Sequence, residues 1–154
     1  MAQFDPYAPP AVDEPGPTQP GFGGPLYTEQ QVTLATFFGT PMAGFVLLAL
    51  NEGRLGRPEG KLKTLVLGGV ATFAFLLLVI VMPDSVPGAV VSLPALLGMQ
   101  QLARHWQGAE VTERLAQGVT KGSGWVAFGV GVAGLVGAVL VGGTLGFLFP
   151  ELFV

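Results

Sequence analysis

The feature that most limits what this chain can become is the segment 51–63, NEGRLGRPEGKLK, together with the uncharged runs on either side of it. The segment holds Arg54, Arg57, Lys61 and Lys63, four of the seven Lys and Arg residues. Residues 31–50 before it and 64–83 after it carry no charge. A charge-free run of about 20 residues makes a helix about 30 Å long, the thickness of bilayer hydrocarbon. Two such runs on a short basic loop predict a transmembrane pair with the loop in the cytoplasm.

Composition points the same way. Charged residues make up 11% of the 154 residues and hydrophobic residues 50%. A soluble domain carries about 25% charged residues, so this chain has too little polar surface to face water all round. The net charge of -3 speaks against a nucleic-acid partner. With no Cys, disulfides, thiolate metal sites and thiol catalysis are excluded. Residues 1–10 have neither a cation nor an apolar run, so the first apolar span is expected to act as its own targeting signal.

The chain divides into a tail, 1–26, and an all-α transmembrane domain, 27–154. The tail is rich in Pro and Gly and is expected to be disordered, with polyproline II character. Its PxxP spacings, Pro6–Pro9 and Pro17–Pro20, are what Pro-rich sequence produces by chance. The domain reads as four transmembrane helices, at about 29–50, 64–82, 87–104 and 125–149.

In the first helix Thr28 is a good N-cap with Gln31 three residues on. Pro41 is expected to kink it. Thr33, Thr36, Thr40 and Asn51 recur along one face, and Gln100 and Gln101 lie near the end of the third span. These polar groups either line a solute path or mark helix–helix contact. The second helix is the most apolar. The third contains Pro87 and Pro94 and either spans or re-enters; spanning fits the Arg104 and His105 that follow it. Residues 104–121 hold the remaining cations and read as a short amphipathic helix on the membrane surface. In the fourth helix Gly134, Ala138, Gly142 and Gly146 are spaced by four and form a small-residue ridge for tight packing. Gly131 lies off that ridge.

Four spans put the loops 51–63 and 104–121 in the cytoplasm and both termini outside. Trp106 and Trp125 bracket the second loop and mark one interface. The expected location is a bacterial inner membrane.

Several residues carry a resemblance: Tyr27, Gln31, Val32, Ala35 and Thr36, then Phe38-Gly39-x-Pro41-x-Ala43-Gly44, Leu47, Asn51 and Leu55-Gly56. A weaker patch runs from Gly118 to Trp125. On these the chain, over residues 27–148, resembles a family of small, uncharacterised bacterial inner-membrane proteins. The resemblance implies an integral membrane protein and no particular chemistry.

No constellation of catalytic or cofactor-binding residues is legible. A lone His105 cannot hold a metal without other donors. No Asp, Glu, Lys or Arg falls within a span, where ion-coupled transporters place them. The sequence therefore reads as a non-enzymatic membrane interaction or scaffold subunit, with a small-solute channel or transporter component as the alternative. The expected partners are the lipid bilayer and another membrane protein, or a second copy, through the fourth helix.

Overall fold

A computed structural model describes residues 23–83 and 85–148, the surroundings of Leu145 and Gly146 excepted. Residues 1–22, with both PxxP spacings, lie outside the described residues. What is described is helical: α1 (Glu29–Phe38), α2 (Pro41–Arg54), α3 (Pro58–Val81), α4 (Gly88–Ala103), α5 (Ala109–Ala116) and α6 (Gly124–Leu148). A π-helical turn, Arg104–Gly108, joins α4 to α5.

The first expected span is not one helix. Pro41 does more than kink it. Its missing N–H and its ring end the helix, and it starts a new one as the first-turn proline of α2. Between the two helices, Gly39 leaves helical geometry and Thr40 is extended (φ -125°, ψ 171°). The chain reverses there. Tyr27 at the start of α1 bonds to Asn51 near the end of α2, and Thr36 lies against Gly44. The two helices are therefore antiparallel, and 29–50 returns to the end at which it began.

This hairpin is the centre of the molecule. α2 is buried on nearly every side, at Ala43, Gly44, Phe45, Leu47, Leu48, Ala49 and Asn51. A helix that is apolar all round belongs in a core. α3 runs antiparallel to α2, α4 runs parallel to it, and α6 packs along α1. Glycines set these approaches. A Cβ on Gly68 of α3 would fall 2.5 Å from Phe45 Cβ, and one on Gly131 of α6 would fall 2.8 Å from the Ala35 carbonyl oxygen. Phe38 and Phe128 meet edge to face at 4.9 Å and close the α1–α6 seam.

α3 begins earlier than expected, at Pro58, after a turn in which Gly56 takes a positive φ of 80°. Lys61 and Lys63 thus belong to its first turns. The expected third span and surface helix are one continuous rod, because the caps between α4, the π turn and α5 all keep helical angles.

The turns 55–57 and 117–123 and the first described residues all lie at one end, called the basic end below. Leu26 pairs with Thr120 and Gly122 there, its N–H donating at 3.0 Å and its C=O accepting at 2.7 Å. The expectation that the start of the domain lies opposite the two basic segments is corrected by these contacts. The 24-residue α3 is about 36 Å long, while the 14-residue α2 is about 21 Å. The long helices therefore outreach the hairpin at the far end. α3 and the stretch Gly124–Thr144 of α6 are long and apolar enough to cross a membrane.

Candidate functional site at the hairpin

Two places on the hairpin combine burial with polar groups: its mouth at the basic end and its tip. At the mouth, Asn51 is 1% exposed and bonds the backbone of Tyr27 twice. The Tyr27 N–H donates to Asn51 Oδ1 at 2.9 Å, and Asn51 Nδ2 donates to the Tyr27 C=O at 2.8 Å. The amide thus replaces the strand or helix partner that Tyr27 lacks. Gln31 does a second piece of the same work. Its Oε1 accepts from the Thr28 N–H at 3.0 Å, and its Nε2 donates to the Gly122 C=O at 2.5 Å. One residue thereby caps α1 and ties it to the start of α6.

Gln107 comes from the π turn, which adds a residue to the helical ring. It is 2% exposed. Its Nε2 donates to the Leu48 C=O at 3.1 Å and to Glu52 Oε1 at 2.7 Å. Its Oε1 is buried without a partner and borders a cavity of about 10 Å³ beside Asn51, room for one water. Glu52 also meets Arg57 at 3.1 Å, and Arg57 reaches Glu110 at 3.0 Å. Arg54 stacks 5.1 Å from the Tyr27 ring centroid and donates to the Pro25 C=O. Outside this cluster runs a wider groove of about 770 Å³ lined by Glu29, Arg104 and Glu113, whose charges are partly or fully exposed.

At the tip, α1 ends and α2 begins beside a cavity of about 150 Å³ bounded by Thr36, Gly39, Pro41, Phe75 and Ser92. Its hydroxyls are already engaged. Thr36 Oγ1 donates to the Val32 C=O and Ser92 Oγ to the Gly88 C=O, each at 3.0 Å.

The structure therefore scatters the expected polar path. Thr33 Oγ1 bonds back to the Glu29 C=O, Thr40 is buried at the reversal, and Asn51 sits at the opposite end of the hairpin. Gln100 is half-buried and Gln101 exposed. The expected ridge on α6 is mostly unused within the chain. Gly134 packs on Ala43, but Gly142 has open space around it, and the surroundings of Gly146 lie outside the described residues. The tight glycine is Gly131, which sequence reasoning set aside. Gln107 was also missed. Its signal is a polar residue at a buried stripe position, four residues from Ala103 and from Val111.

Among the described residues no group of His, Cys, Asp or Glu could hold a metal ion, and His105 is exposed. No protein-family model matches the chain, and neither does any curated protein or solved structure.

Proposed function

We propose that this chain is a non-enzymatic interaction or scaffold subunit of a bacterial cytoplasmic membrane. The bilayer reading rests on exposed apolar surface. Phe73, Val79, Ile80 and Val81 of α3 and Val139, Leu140 and Val141 of α6 all face outward, and 11% of each apolar window is buried within the chain. Soluble monomers keep such patches below about 600 Å². The basic end takes the cytoplasmic side. With Leu26 and Tyr27 at that end, the domain enters from the cytoplasm. It makes a re-entrant hairpin and three crossings, and leaves α6 outside. The residues behind the resemblance to small bacterial inner-membrane proteins include Tyr27, Gln31, Gly39, Pro41 and Asn51, which build the hairpin.

The observation that carries the interaction reading is the far half of α6. Gly137, Gly142 and Gly143 meet nothing within 4 Å. Glycine costs a helix about 1 kcal/mol relative to Ala, and in lipid small residues serve where another helix comes close. Gly142→Leu is expected to convert an assembled species in detergent to a monomer by light scattering. A wild-type chain that is already a lone monomer contradicts the reading.

A second reading, a small-solute channel or transporter component, has the hairpin tip in its favour. Interrupted helices whose ends meet inside the membrane form solute and ion sites. Solute flux in proteoliposomes tests it, and no flux above protein-free vesicles contradicts it.

A further inference from the structure

α3 and α4 follow one another in the chain yet make little direct contact, because α3 packs on α2 while α4 packs chiefly on α1. The gap between them is an open crevice of about 380 Å³. Phe45, Ala74, Phe75, Leu78, Gly98 and Met99 line it, and no lining side chain carries a charge or a hydroxyl. Water needs two to four polar partners to stay in such a place and finds none here. An empty gap forfeits the dispersion contacts of every wall atom. A hydrocarbon chain restores those contacts and asks for no hydrogen bond.

The face of α3 that lines the crevice leads to a cation. Lys63, Leu67, Ala71, Ala74 and Leu78 follow at intervals of four, four, three and four residues, which places them on one side of a helix. Lys63 is the last charge before the uncharged run 64–83, so it stands at headgroup depth when that run lies in hydrocarbon. It makes no ion pair among the described residues. On the opposite wall Trp106, 40% exposed, follows Leu102 by one turn and suits the same depth. We infer that an anionic phospholipid occupies this crevice, with one acyl chain between α3 and α4 and its phosphate at Lys63. The inference rests on the bilayer placement proposed above.

The test uses the full chain in phosphatidylcholine vesicles containing a little phosphatidylglycerol with a photoreactive diazirine on one acyl chain. After illumination, peptides bearing Phe75 and Met99 are expected to carry more label than the outward-facing peptide bearing Val139 and Leu140. Gly98 has nothing within 4 Å, so Gly98→Phe fits the chain while filling the crevice, and label at Phe75 and Met99 is expected to fall severalfold. Gly69→Phe, also in open space but off the crevice lining, is the control and is expected to label as wild type. Lys63→Gln is expected to weaken labelling by the phosphatidylglycerol probe about fivefold and to leave a phosphatidylcholine probe unchanged. Labelling that Gly98→Phe does not alter, or equal labelling by both probes in the wild type, overturns the inference. A chain that does not remain with the vesicles on flotation overturns the bilayer placement instead, before any label is read.

Discussion

Asn51 holds the backbone of Tyr27 with both atoms of its amide, across 24 residues of sequence. This pair fixes the two ends of the α1–α2 hairpin at one end of the molecule. α3, α4 and α6 all pack on that hairpin.

Asn51→Leu keeps the branched outline but leaves the Tyr27 N–H and C=O buried and unpaired. Each orphaned group costs about 1–3 kcal/mol. Thermal unfolding in detergent is expected to show a loss of about 2–6 kcal/mol on that basis. A variant as stable as wild type would mean that the clasp closes on some other partner.

The ion pairs beside the clasp differ in weight. The Arg57 side chain is 47% exposed and that of Glu52 is 12% exposed. Arg57→Ala is expected to cost about 0–1 kcal/mol, the worth of a surface pair, and less in high salt. Glu52→Ala also removes one of the two acceptors of Gln107 Nε2 and is expected to cost more. Equal losses in matched unfolding curves would contradict this ordering.

Gly131 and Gly142 are both helical glycines on α6, and they are expected to behave oppositely. A Cβ at Gly131 meets the Ala35 carbonyl oxygen at 2.8 Å and Phe38 Cβ at 3.1 Å. Overpacking of this kind costs about 1–3 kcal/mol. Gly131→Leu is therefore expected to destabilise the isolated chain, while Gly142→Leu leaves its unfolding within about 0.5 kcal/mol of wild type and acts only on assembly. The reverse order in a melting comparison would return the ridge Gly134–Ala138–Gly142 to the core.

The sequence makes some of this readable and hides the rest for physical reasons. α3 and α6 are legible because an uncharged run of that length has few other fates. The reversal at Gly39-Thr40-Pro41 is not. Hydropathy counts apolar residues and is blind to direction, so a kinked span and a hairpin of two short helices share one profile. Asn51 is legible as a polar group on an apolar helix, but its partner is backbone, and the backbone of Tyr27 leaves no mark in composition. Gln31 reads as part of a cap, and its second bond to Gly122 depends on tertiary contact alone. The ridge on α6 is a true periodicity, yet period says which residues share a face and not what that face meets.

The hairpin's return is the central claim, and cysteine labelling tests it directly because the chain contains no cysteine. Gly23→Cys, Glu59→Cys and Ser85→Cys place single thiols at three exposed positions. In sealed vesicles of known orientation, a membrane-impermeant maleimide is expected to reach Gly23→Cys and Glu59→Cys from the same side and Ser85→Cys from the other. If the thiol at position 23 instead labels together with the one at 85, residues 29–50 cross the membrane and the hairpin account is wrong.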